Sequence, residues 1–318
     1  MRFKSVLLML LLTVLFARAT FANDNPIQLT KEQVDVIVLN AAQEIQSTYY
    51  DADKGAQIAI KLNALLKGDY FYSTFREDEL ETRLNHILFS VSGDGFLSLN
   101  RATKSVSSVK LLTDVQPDVD FEIHYQRKEN NIGYVRLSGN FQNTASIEQF
   151  NHAINQLHSA NTLIIDLFDA QHASLKVAHH FLSVFLPPKL HIANVRQDSL
   201  SELTPILSAD VNVIEKSKSD RPVYILQSAF NEQAWELFTV GMQQYGNAVI
   251  VGEESMGNAT LSNQVAIGSS FELSVPFAVL EYAHEEGSWA NTGVTPDYFA
   301  SKEEALSLAS QLANSSVN

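Results

Sequence analysis

Three short runs constrain the fold more than anything else in the chain: TLIIDLF at 162–168, RPVYILQS at 221–228 and NAVIVGEE at 247–254. Each lacks the apolar/polar alternation of a strand with one wet face, so each reads as a strand buried on both faces. Helical patterns separate them. One spans 146–159 through Ile147, Phe150, Ile154 and Leu157, one spans 172–186 and stops at Pro187-Pro188, and one spans 231–245. Doubly buried strands alternating with helices imply an α/β fold, a mainly parallel sheet covered by helices. Upstream, FEIHYQRKENNIGYVRLSGNF carries Asn-Asn-Ile-Gly at its centre, which suits a hairpin joining strands at 121–127 and 132–138. Downstream, LSNQVAIG and FELSVPFAVLEY read as an antiparallel addition.

The N-terminal third is organised differently. MRFKSVLLMLLLTVLFARATFA places Arg2 and Lys4 before an apolar run from Val6 to Phe16, then small residues ending at Ala22. That is the pattern of a secretory signal peptide cleaved near Ala22, and its apolar run is short for a bilayer span. A periplasmic or secreted protein is expected, with no membrane span after cleavage. Next, TKEQVDVIVLNAAQEIQSTYY offers Thr30 and Gln33 as a capping box before Val34, Ile37, Val38, Ala41, Ala42 and Ile45 at helical spacing. KGAQIAIKLNALLKG, stopped by Gly68, and EDELETRLNHILFSV complete a three-helix unit over 28–92. SGDGFLSLN then extends into a connector with one or two strands, running through a Pro/Asp-rich stretch near Pro117. The expected division is a signal peptide at 1–22, a helical domain with its connector at 23–112, and a core domain at 113–318.

Composition narrows the function. Cysteine is absent, so disulfides, thiolate metal sites and lipid attachment through cysteine are excluded. The formal charge of −14 falls to about −17 once Arg2, Lys4 and Arg18 leave with the signal, which argues against binding a nucleic-acid backbone. His179-His180 is an adjacent pair that points to different faces of a helix, so joint metal coordination is disfavoured, and no metal or cofactor is expected.

Ligands of open α/β sheets sit at the carboxyl ends of the strands, so the loops FDAQHAS, QSAFNEQAWE and EESMGNAT carry the functional candidates. Asp166 ends a strand, where a carboxylate most often caps a loop. Asp169 and His172 make a possible acid/base couple, but no hydroxyl or thiol is placed beside them by sequence. Ser228 can bond its own turn backbone, and Glu236 can either orient the turn or lie on a solvated helix face. Gln233, at the head of the helix, cannot act as a nucleophile.

Taken in order, these loops resemble those of the S41 peptidases, the tail-specific or C-terminal processing proteases and the relatives of interphotoreceptor retinoid-binding protein. LIIDLFDAQHAS is similar to "LIIDLRDNxGG", RPVYILQSAFNEQAWELF to the serine-bearing "KPVYVLTSxxTxSAAEEF", and NAVIVGEESMGNA to "ATVVGExTxGxA". GSWANTGVTPDYF resembles the closing "WxxxGVxPD", through Trp289, Gly293, Val294, Pro296 and Asp297. The helices followed by FSVSGDGFLSL resemble the subgroup without a PDZ domain, so the likeness covers nearly the whole chain after the signal. It implies a ClpP/crotonase-type core.

The departures fall where the family keeps its chemistry. By this match Gln233 stands at the serine, Asn258 at the lysine base, Phe96 at a histidine that one branch carries after "SGDxH", and Ala170, Gln171, His172 and Ala173 at the oxyanion glycines. The implied protein keeps the scaffold, through parts such as Gly252 and Trp289, and lacks the hydrolytic set. It would bind a peptide or a small apolar ligand over a polar floor of Asp169, Gln171, His172, Ser228, Gln233 and Asn258. Two alternatives stay open. One is an active serine peptidase with a displaced nucleophile, Ser228 or Ser255. The other is an interaction subunit that docks another exported protein through its helical unit.

Overall fold

Alternate side chains along the central strands feed two separate apolar layers. Leu163, Ile165, Ile225 and Ile250 pack into one, while Ile164, Tyr224, Leu226 and Val251 pack into the other. This period of two, with both faces apolar, is the physical content of runs such as LIIDL. The computed structural model describes residues 27–68, 70–71, 75–102, 121–198, 201–211 and 221–315. The expected signal peptide and the connector around Pro117 lie outside the described residues.

In chain order the elements are β1 (Gln28–Leu29), α1 (Lys31–Thr48), α2 (Ala52–Lys67), β2 (Phe75–Arg76), α3 (Glu77–Ser92), β3 (Ser98–Arg101), β4 (Phe121–Arg127), β5 (Ile132–Phe141), α4 (Ala145–Gln156), β6 (Thr162–Ala173) and α5 (Leu175–Ser183). They continue with β7 (His191–Arg196), β8 (Thr204–Leu207), β9 (Val223–Gln227), α6 (Ala234–Tyr245), β10 (Ala248–Gly252), β11 (Thr260–Ile267), β12 (Phe271–Tyr282), β13 (Tyr298–Phe299) and α7 (Lys302–Ser315).

The main sheet has the order β13-β10-β9-β6-β5-β4, parallel throughout except for the β4 edge, which pairs antiparallel with β5 through the expected hairpin. Asn130 and Asn131 take positive φ in its connection, a conformation Asn tolerates better than most residues. On one face α4, α5 and α6 supply Phe150, Phe181 and Trp235, with Phe150 and Phe181 stacked at 3.8 Å between ring centroids. On the other face α7 contributes Ala305, Ala309 and Ala313.

The second sheet, β11-β12-β7-β8 with β3 alongside β12, is antiparallel and includes the two stretches read as an antiparallel addition. The three helices lie on one of its faces. Val34, Ile45, Ile58, Leu62 and Leu84 share a core with Leu99, Ile267, Phe271, Leu273 and Val275. Thr30 and Gln33 form the capping box reciprocally, and Gly68 stops α2.

Two boundaries correct the sequence expectation. The FDAQHAS stretch is strand, not loop, because β6 continues beside β5 to Ala173 with two register shifts. Ser174 therefore caps α5, which starts at Leu175 instead of 172. Likewise α6 starts at Ala234 instead of 231, because Gln233 is held at φ 44° and ψ −96°, outside helical geometry. No helix of the described residues is long and apolar enough to cross a membrane.

Candidate functional site

Gln233 sits between the end of β9 and the start of α6, in a backbone conformation that costs a side-chain-bearing residue about 1–3 kcal/mol. Glu236 stabilises it. This carboxylate is fully buried one turn into α6 and accepts from the Gln233 N–H at 3.0 Å, the Gly257 N–H at 2.6 Å and the Ser255 hydroxyl at 2.5 Å. Burial pushes its pKa up to about 7, against the pull of those donors. Of the two readings left open for Glu236, orienting the turn is the one the structure supports.

The loop after β10 closes over the same turn. Gly252 has φ 143°, and a Cβ there would meet the Gln227 carbonyl. Gly293 at φ 77° passes equally close to Ser255. The closing segment is tied to the strand ends: Gln227 Nε2 donates to the Val294 carbonyl at 2.7 Å, the Ile250 N–H donates to Asp297 Oδ2 at 2.8 Å, and Trp289 is fully buried.

Phe96, Gln233 and Asn258 come together. All three line one cleft of about 310 Å³, with Ser98, Asn100, Ser262, Gln264 and Ser274. Asp94 accepts from the Phe96 N–H at 2.8 Å and from the Tyr49 hydroxyl at 2.9 Å, fixing the turn that presents Phe96. Register places Ser98, Ser274 and Gln264 side by side across β3, β12 and β11, so the floor is the polar face of the second sheet. Gln233 Nε2 donates to the Thr260 carbonyl at 2.7 Å. Asn258 Nδ2 donates to Glu232 Oε2 at 3.1 Å, while its Oδ1 accepts from the Thr260 hydroxyl at 3.0 Å.

The six residues expected to form one polar floor do not share it. Asp169, Gln171 and His172 line a separate depression of about 370 Å³ with Phe168, Phe230 and Met256, because the extended β6 carries them beyond Gln233. Glu232, which sequence reasoning missed, links the two: Oε1 pairs with His172 Nδ1 at 2.7 Å and Oε2 meets Asn258. Its position directly before Gln233 was the available signal. Asp169 pairs with Lys302 at 2.5 Å. Asp166, expected to end a strand and cap a loop, lies inside β6 instead, where it accepts from the Phe168 N–H at 3.0 Å and the Tyr134 hydroxyl at 2.6 Å.

The two alternative serines are buried and engaged. Ser228 Oγ accepts from the Phe230 N–H at 3.1 Å within its own turn. Ser255 Oγ donates to Glu236 and accepts from the Val294 N–H at 2.8 Å, and neither serine lines the Gln233 cleft. The two adjacent histidines diverge, His179 to the Leu207 carbonyl and His180 to Asn151. Among the described residues no three His, Asp or Glu side chains converge as a metal site.

A model of peptidase family S41 matches residues 131–299. Among solved structures, a candidate peptidase from Parabacteroides merdae has 16% identity and a TM-score of 0.64, covering 90% of this chain and 97% of that one. A lipoprotein from Streptococcus agalactiae has 14% identity and a TM-score of 0.59, with coverage of 90% and 97%. A photosystem II D1 C-terminal processing protease has 14% identity and a TM-score of 0.57, with coverage of 84% and 93%. At such identities the likeness is one of fold.

Proposed function

The chain belongs to peptidase family S41, and from that premise we propose that it is an exported, non-hydrolytic member that holds a peptide in the Gln233–Asn258 cleft. The observation that carries the reading is the convergence of Phe96, Gln233 and Asn258 on that one cleft. The resemblance of the loops implies the family's serine at Gln233, its lysine at Asn258 and one branch's histidine at Phe96. Acyl transfer needs a nucleophile and a base; a phenyl ring and two carboxamides provide neither. Both amides are also committed, to the Thr260 carbonyl and to Glu232. The charged amino-terminal leader supports export.

A peptide suits the cleft better than a small apolar ligand does. Ser98, Asn100, Ser262, Gln264 and Ser274 offer neutral donors and acceptors that an apolar ligand would leave unpaired, and a peptide backbone would satisfy them. The displaced-nucleophile reading keeps one supporting observation, the 2.5 Å bond from Ser255 to a carboxyl poised near neutrality.

The deciding experiment exposes the purified protein to unstructured peptides and to a serine-reactive fluorophosphonate. Saturable peptide binding, weakened by Gln264→Ala, without turnover or labelling is expected. Turnover or labelling abolished by Ser228→Ala or Ser255→Ala would overturn the proposal.

A further inference from the structure

Across Glu232 from the cleft, the carboxyl end of the main sheet carries apolar side chains that nothing among the described residues covers. Phe230 is 78% exposed, Phe299 67% and Met256 43%. The topology gathers them: Gly252 is in register with Gln227 on one side and Phe299 on the other, Phe230 follows Gln227 by three residues, and the Met256 N–H donates to the Asn231 carbonyl. Two shallow depressions flank them. One, of about 370 Å³, lies between Phe168, Phe230 and Met256; the other, of about 470 Å³, lies between Phe299 and the start of α7.

Carboxylates predominate around this patch. Glu253, Glu254 and Glu304 line the second depression, and Asp169 and Glu232 line the first. Lys302 compensates Asp169 and His172 partners Glu232. Among the described residues no cation pairs with the carboxylates at 253, 254 and 304. Glu253 accepts from the Ala229 N–H at 3.0 Å, and Glu304 accepts from the Ser301 hydroxyl at 3.0 Å. Exposed rings beside unpaired carboxylates complement a partner that brings apolar and cationic groups together.

We infer that this surface docks an extended peptide segment in which arginine or lysine alternates with aliphatic or aromatic residues. The apolar residues would enter the two depressions, and the cations would meet Glu253, Glu254 and Glu304. Arginine fits best, since its guanidinium pairs with a carboxylate in a fork and stacks on an aromatic face. A second copy of the chain is disfavoured, because a two-fold contact would bring the same carboxylates together. An anionic membrane surface is disfavoured by the same repulsion. The inference stands whether or not the Gln233 cleft binds a peptide.

Fluorescence anisotropy with three labelled peptides tests it: alternating Arg and Leu, the same with Glu for Arg, and the same with Ser for Leu. Only the first is expected to bind tightly. Phe230→Ala and Phe299→Ala, which leave net charge unchanged, should each weaken it about tenfold. Glu253→Gln with Glu254→Gln should weaken it and flatten its salt dependence, whereas Glu285→Gln with Glu286→Gln, an exposed pair elsewhere, should not. Equal loss from both double variants would reduce the effect to net charge and overturn the inference. So would equal binding of all three peptides, absence of binding, or loss only with Gln264→Ala in the cleft. A dimer or an attachment to anionic vesicles that Phe230→Ala abolishes would reassign the surface and equally overturn it.

Discussion

Glu236→Gln tests the arrangement under Gln233 because it removes a titrating proton while nearly preserving shape. The carboxyl is fully buried, and burial outweighs the pull of its donors to bring its pKa from 4.5 to about 7. A displacement of that size favours the protonated form in the folded protein by about 3 kcal/mol. Since the folded value is the higher one, this stability is fully present below pH 4.5 and is lost as pH rises through about 7. The glutamine variant has no such term. It carries every other titrating group unchanged, so subtracting its stability from that of the parent isolates Glu236. Equilibrium urea unfolding of both proteins at about pH 5 and about pH 8 should show the parent losing about 3 kcal/mol relative to the variant across that interval. An equal difference at both pH values would refute the reasoning. A parent that gains on the variant as pH rises would show that the donors from Gln233, Ser255 and Gly257, not burial, dominate the site.

Gln233→Ser should create no peptidase activity, since Asn258 supplies no base; hydrolysis by that variant in a fluorogenic peptide assay, absent from the parent, would contradict this. Gly252→Ala should cost more than about 3 kcal/mol or prevent folding, because its Cβ would land on the Gln227 carbonyl at a φ that side chains rarely adopt; a thermal midpoint like the parent's would count against the close approach. Thr30→Ala should cost about 1 kcal/mol through loss of the α1 cap, read by urea unfolding.

The fold was legible wherever apolar periodicity was strong. LIIDL and VYIL announce doubly buried strands, and Val34, Ile37, Val38, Ala41 and Ile45 announce α1. Periodicity failed where small or polar residues carry the packing. No reading of the sequence placed α7, whose buried stripe is Ala305, Ala309 and Ala313, or the strands β7 and β8. The continuation of β6 through Gln171 and His172 was hidden because its support is backbone pairing with β5, to which polar residues contribute as well as apolar ones. At the site, resemblance located Phe96, Gln233 and Asn258 at positions the fold brings together, which spacing alone could not do. Resemblance also merged two depressions into one floor, since it carries no information on how far β6 displaces His172 from Gln233.

The second sheet is a shared wall. On one side Leu99, Leu273 and Val275 sit in the core of α1–α3, and on the other Ser98, Ser274 and Gln264 face the cleft, the two sets alternating along the same strands. If the cleft holds a peptide as proposed, grip on the polar row would stiffen strands whose reverse side anchors the helices, and by reciprocity a contact that steadies the helices would tighten the grip. Amide hydrogens of α1–α3 should then exchange more slowly when the cleft is filled, although the ligand touches none of them. Under the proposed function the helical layer would then serve as a remote gauge of occupancy.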